Sequence, residues 1–114
     1  RQRGELFSRF RQLVEAHFRE HWPVPRYAEA LRVTESRLNR ISRSLTGRSA
    51  FDLVQDRLLL EARRRLVYIA APVSLLAYEL GFQDPAYFCR VFKRATGMTP
   101  TAFRAANQGQ PGAG

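Results

Sequence analysis

The chain repeats itself. Ala28 and Leu31 recur as Ala77 and Leu80 at an offset of 49, and Arg40 and Thr46-Gly47 recur as Arg90 and Thr96-Gly97 at an offset of 50. The second copy therefore holds one extra residue in its turn. Two copies of one short pattern restrict the fold to two similar helical units, each built as a helix, a tight turn and a second helix.

The second copy, Val73 to Arg104, shows the design. Ser74 is placed to cap a helix over Leu75, Leu76, Ala77, Tyr78, Glu79 and Leu80. Gly81 follows, where a positive φ costs little. Asp84-Pro85 opens the next helix, because Asp accepts orphan N–H bonds and Pro has no N–H to lose at the first position. Phe88, Phe92 and Ala95 share one face at helical spacing, Arg90, Lys93 and Arg94 lie off it, and Gly97 closes the helix.

The first copy follows the same plan. Pro25 to Leu31 reads as a short helix with Pro25 at its first position. Thr34 caps a helix from Glu35 to about Leu45, with Leu38, Ile41 and Leu45 as its inner stripe and Ser36, Arg37, Asn39, Arg40 and Arg43 elsewhere. Arg32 stands where the other copy has Gly81. If the turn demands a positive φ there, the strain is on the order of 1 kcal/mol.

Between the copies, Phe51 to about Tyr68 has no Gly or Pro, and Phe51, Val54, Leu58, Ala62 and Leu66 form one stripe. This predicts a rigid linker helix. Arg57, Arg63, Arg64 and Arg65 make it basic; a solvated face, with some ion pairs to Asp56 and Glu61, competes with a phosphate-binding role. Its eighteen residues give about 27 Å at 1.5 Å per residue, close to one DNA turn of about 34 Å. Ahead of both copies, Leu6 to Glu20 is an amphipathic helix with Phe7, Phe10, Val14 and Phe18 on its apolar face, stopped by Trp22-Pro23. His17 and His21 are spaced to share a metal, but Phe18 stands where the zinc-protease pattern needs Glu, and no third ligand follows. At the far end, Thr99-Pro100 opens a last helix to about Ala105, and Asn107 to Gly114 lacks an apolar anchor and is expected to be disordered.

The division expected is one domain over 1–106, comprising a first subdomain at 1–48, a linker helix at 49–70 and a second subdomain at 71–106, with a tail at 107–114. The fold class is all-α, with about seven helices. The formal charge of +9, from 19 basic and 10 acidic residues, points to a polyanion, although a preference for Arg would also raise it, since Lys93 is the only lysine. The single cysteine, Cys89, excludes an internal disulfide framework and fits a reducing cytosol. No apolar run is long enough for a membrane span. There is no initiator Met, and the chain is expected to be a piece of something longer. Enzyme chemistry finds no nucleophile elbow, no phosphate-cradling Gly loop and no metal set. A helical docking domain without DNA readout stays as the alternative function.

The ordered set Ala77, Gly81-Phe82, Tyr87-Phe88, Arg90, Phe92-Lys93, Gly97, Pro100 and Arg104 resembles the C-terminal helix-turn-helix of the AraC/XylS family of transcription regulators, and the pattern extends back to about Arg26. The resemblance implies a bacterial, cytoplasmic and nucleoid-associated regulator that binds double-stranded DNA, contacts RNA polymerase and uses no cofactor. It implies a small-molecule effector only through a separate N-terminal domain, and a monomeric fragment here. The stretch FRQLVEAHFREHWPVPRYAEAL resembles members that control aromatic-acid catabolism. Base readout would fall to Ser36, Asn39 and Arg40 in the first recognition helix and to Pro85, Ala86, Cys89 and Arg90 in the second. Arg suits guanine and Asn adenine, while Ala86 and Cys89 suit thymine methyl groups. Phosphate contacts would fall to Arg37, Arg43, Arg48, Lys93 and Arg94. For Arg90 the competing role is an ion pair with Asp84 or Glu79.

Overall fold

The structure, a computed structural model, describes residues 2–108, which form seven α-helices and one 3-10 turn without any strand. In chain order these are α1 (Gln2–His17), a 3-10 turn (Phe18–Glu20), α2 (Val24–Leu31), α3 (Glu35–Thr46), α4 (Ala50–Tyr68), α5 (Val73–Glu79), α6 (Pro85–Thr96) and α7 (Pro100–Asn107). The helices group into two compact units, one up to Leu58 and one from Leu59, so the division falls inside α4.

In the first unit α1 packs on both α2 and α3, and α2 on α3. Leu6, Phe10 and Val14 from α1 are buried together with Tyr27, Ala28, Leu31, Leu38 and Ile41. Phe10 meets Tyr27 edge-on at 5.6 Å between ring centroids, and Trp22 leans on the same ring at 5.2 Å. Burying a side chain such as Phe10 contributes about 1.5–3 kcal/mol. Burial also pushes the Tyr27 phenol up to about 12, with the Glu20 charge adding to it, so this ring stays neutral in the core. Arg57 of α4 grips Glu15 of α1 through two bonds of 2.8 and 2.9 Å and lies 4.3 Å over the Phe18 ring.

The second unit is built on an aromatic row. Phe82, Phe88, Phe92 and Phe103 follow one another at centroid separations of 5.1, 5.9 and 5.4 Å. Leu59, Ala62 and Leu66 of α4 are buried in this unit, as are Leu76, Ala77 and Leu80. Arg65 joins α4 to α5, donating to Glu61 at 3.0 Å and to Glu79 at 2.9 Å.

Several sequence expectations change. Leu6 to Glu20 is not one α-helix: the coil tightens into a 3-10 turn at Phe18, and His21 takes a left-handed conformation that returns its N–H to Phe18 O. α2 starts at Val24, with Pro23 flanking it and Pro25 in its first turn. Ser74 caps nothing; Pro72 leaves extended and its carbonyl accepts from Leu75 and Leu76, so α5 begins one residue before Ser74. Leu45 and Phe51 are 48% and 58% exposed, and Ala95 is exposed too. Periodicity places these three on the apolar stripes, yet each sits at a helix end and its side chain stays exposed. Asp56 takes Arg48 as its partner instead of an arginine of its own helix. Asn107 lies in α7, and the rest of the expected tail, beyond Gln108, lies outside the described residues.

The strained turn is present. Arg32 adopts φ +60 and Gly81 φ +89, and the next N–H in each copy, of Val33 and Phe82, returns 3.0 Å to the carbonyl of Ala28 and Ala77. The same closing bond thus requires a left-handed residue in both copies. Arg32→Gly relieves roughly 1–2 kcal/mol of strain and gives back part of it through the looser unfolded chain. The expected result in urea unfolding is a net gain of up to about 1 kcal/mol.

Candidate nucleic-acid interface

α3 and α6 are the second helices of the two helix-turn-helix units, and their sequences fix them in the same way. Thr34 Oγ1 accepts from Arg37 N at 3.0 Å, and Asp84 Oδ1 accepts from Ala86 N at 3.0 Å, so each helix starts on a side-chain cap. Each ends on a glycine, Gly47 at φ +77 and Gly97 at φ +82. Thr46 and Thr96 brace those ends: each hydroxyl lies against a carbonyl four residues back, at 2.7 and 2.8 Å, and accepts the N–H two residues on. Hydroxyls that bond their own helix in this way are common at helix ends.

Leu38 and Ile41 turn inward on α3, and Phe88 and Phe92 on α6. On α3 this leaves Ser36, Arg37, Arg40 and Arg43 exposed and Asn39 half-buried. On α6, Ala86, Arg90, Lys93 and Arg94 are exposed, with Pro85 and Cys89 half-buried. Among the described residues, none of Arg37, Arg40, Arg43, Arg90, Lys93 and Arg94 has an ion-pair partner. Arg90 rests 5.7 Å from the exposed Tyr87 ring, an arrangement that orients the guanidinium without neutralising it. The competing ion pair of Arg90 does not form, because Asp84 serves as a helix cap and Glu79 is held by Arg65.

Two candidates are otherwise engaged. Arg48 makes a two-pronged pair with Asp56 at 2.8 and 2.9 Å, which raises the Arg48 pKa above its already high ordinary value. Both side chains are about half exposed, so solvent screens the pair and it holds Arg48 only weakly. Asn39 Oδ1 accepts from Ala50 N at 3.0 Å. An asparagine reads adenine through its oxygen and its amide nitrogen together, and here one lone pair of that oxygen is already committed.

Away from these helices, His17 Nδ1 lies 2.7 Å from Glu20 Oε2, and its ring stacks on Trp22 at 3.8 Å. That hydrogen bond holds Glu20 below the ordinary carboxylate range. No group of three or more His, Cys, Asp or Glu side chains among the described residues is placed to hold a metal. No helix among them is long and apolar enough to cross a membrane.

A basic residue that the spacing argument left without a role is Arg104. Its Nε donates to Leu66 O at 3.0 Å, Nη2 to Ile69 O at 3.0 Å and Nη1 to Ala71 O at 2.6 Å. These are carbonyls at and just beyond the end of α4, where helices have no partners of their own to offer. The only sequence signal was the Pro100 to Arg104 spacing of the matched pattern.

Two capped, outward-facing basic helices, each braced across a turn by a shorter one, define a tandem helix-turn-helix protein. A family profile described as a helix-turn-helix domain matches residues 27–106. The arabinose operon regulatory protein of Salmonella typhimurium is 30% identical over 95 residues, which are 82% of this chain and 34% of that protein. The urease operon transcriptional activator of Escherichia coli is 34% identical over 93 residues, 81% of this chain and 31% of that one. Among solved structures, the C-terminal domain of AraT, a response regulator from Geobacillus stearothermophilus, matches with a TM-score of 0.84 at 25% identity, over 94% of this chain and 89% of that one. The DNA-binding domain of AdpA, a global transcriptional factor in complex with a target DNA, matches with a TM-score of 0.73 at 28% identity, over 90% and 96%. The chain belongs to the AraC/XylS family of transcription regulators and spans about a third of the length of the curated relatives it matches.

Arg104 is a residue whose role can be separated from DNA. Arg104→Ala strands three carbonyls at once; a single bond to a charged donor is worth about 1.5–3 kcal/mol, and partial exposure holds the three together to about that value. The expected outcome is a loss of that size in chemical unfolding. Arg104→Lys should recover only part of it, because an ammonium cannot reach all three oxygens in one plane.

Proposed function

We infer that the chain binds double-stranded DNA sequence-specifically and serves transcription regulation, with α3 and α6 each entering a major groove. The observation that carries this is the set of unpaired cations on two capped helices. A helix that only packed against protein would have little use for them. In this reading Arg40 and Arg90 take guanine edges, and Ser36 lies beside Arg40 on the same helix. Pro85, Ala86 and Cys89 offer apolar contact to thymine methyl groups. Arg37, Arg43, Lys93 and Arg94 neutralise phosphates, joined by Arg48 when it leaves Asp56. The reading extends to a bacterial cytoplasmic regulator that works with RNA polymerase, and to an effector acting through another domain. The greater length of the curated relatives supports that last part. The docking alternative draws support from exposed apolar side chains such as Phe51, Tyr68, Leu75 and Tyr78.

Binding measured at about 50 and 200 mM salt tests the electrostatics. Four phosphate contacts, by Arg37, Arg43, Lys93 and Arg94, correspond to a fall on the order of a hundredfold across that range. In the same assay Arg40→Ala should cost about 1–3 kcal/mol on a selected duplex and much less on random DNA. Affinity indifferent to salt would favour the docking alternative.

α4 runs from Ala50 to Tyr68 without a break. We further propose that one chain protects two successive major grooves of an asymmetric site, with some DNA bending. Footprinting of the monomer should show two adjacent protected segments. A palindromic site that needs two chains, one groove each, contradicts the proposal.

A further inference from the structure

The two units solve one local problem in two ways. After each recognition helix the chain makes the same passage, Thr46 to Ala50 in the first unit and Thr96 to Pro100 in the second. Ser49 Oγ accepts from Asp52 N at 3.0 Å, and Thr99 Oγ1 accepts from Ala102 N at 3.1 Å, so both passages end on a side-chain cap. The next residue is the first of the following helix, and its N–H has no partner within that helix.

In the second unit this residue is Pro100, buried and without an N–H to satisfy. In the first unit it is Ala50, which is 0% exposed. Its N–H cannot reach water, and a buried unpaired N–H is costly. It meets Asn39 Oδ1 at 3.0 Å, from the middle of the recognition helix. At the offset of 50 the counterpart of Asn39 is Cys89, a free half-buried thiol in the unit whose passage needs no such bond. The donor and its acceptor are thus present together in one copy and absent together in the other.

We propose that Asn39 is a positioning residue. Its oxygen ties α3 to the first residue of α4 and so sets how α3 presents Ser36 and Arg40, while Cys89, free of that task, faces the bases from α6. The proposal rests on the DNA-binding reading above. It predicts that sequence preference in the first recognition helix belongs to Ser36 and Arg40 and that removing the Asn39 amide deletes no single base preference.

The test uses the full chain and four variants: Asn39→Ala, Asn39→Asp, Ala50→Pro, and Asn39→Ala with Ala50→Pro. Melting temperature is measured for each. Affinity is measured on a duplex selected with the parent chain and on its single-base-pair variants. Asn39→Ala should lower the melting temperature and weaken the selected duplex by on the order of tenfold, the worth of one buried hydrogen bond. The relative ranking of the base-pair variants should not change. Adding Ala50→Pro removes the orphan N–H and should restore both melting temperature and affinity. Asn39→Asp keeps the acceptor and should hold the melting temperature near the parent value, which tests the same bond even if the proline variants do not fold. An Asn39→Ala chain with an unchanged melting temperature and a relaxed preference at one base pair would overturn the proposal. So would a double variant that regains stability but not affinity. Absence of sequence-dependent binding by the parent chain would remove the DNA reading and the positioning role with it, whereas the melting temperatures would still report whether the bond exists.

Discussion

α4 is held at both of its ends by side chains distant in sequence. At its start the Ala50 N–H is taken by Asn39, and at its finish the carbonyls of Leu66, Ile69 and Ala71 are taken by Arg104. Helix ends leave backbone groups unpaired, and burial makes those groups expensive. Satisfying them therefore anchors the recognition helix of the first unit and the last helix of the second to α4. Each unit is small, and small units bury too little apolar surface to tolerate loose ends. Polar contacts of this kind supply the geometric definition that the thin cores of Phe10 and Tyr27, or of Phe88 and Phe92, do not supply alone.

The arginines divide into two populations by the same logic. Arg57, Arg65 and Arg104 are structural, each bridging separate elements within one unit. Arg37, Arg40 and Arg43 on α3, and Arg90, Lys93 and Arg94 on α6, carry charge that no ion pair among the described residues neutralises. Uncompensated like charge on a folded surface costs stability and is favourable only toward a polyanion. Arg48 stands between the populations, paired with Asp56 in an exposed contact weak enough to exchange.

The helices were largely legible in the sequence because their boundaries are written in local chemistry. Thr34, Asp84, Thr99, Gly47 and Gly97 cap or close the helices at the positions that short-range rules assign them. Ser74 misled for an equally local reason: Pro72 offered an earlier start, and a difference of two residues is within the reach of either signal. The candidate site was legible as a set of outward positions on α3 and α6, since helical period sorts faces. It did not reveal that Arg48 and Asn39 already have partners, because those partners lie eight and eleven residues away, on another helix.

By itself, then, the sequence determined the number and type of the helices, most of their caps, the doubled design and the family to which the chain belongs. All of these follow from interactions within a few residues or from a pattern repeated along the chain. Only the tertiary structure decided which members of that pattern are occupied. Leu45 and Phe51 lie on apolar stripes yet remain exposed, Glu15 takes Arg57 from forty-two residues away, and Arg104 caps a helix that ended thirty-six positions earlier. The reason is physical: a helical period specifies direction around an axis, whereas burial and pairing depend on what another part of the chain brings to that direction.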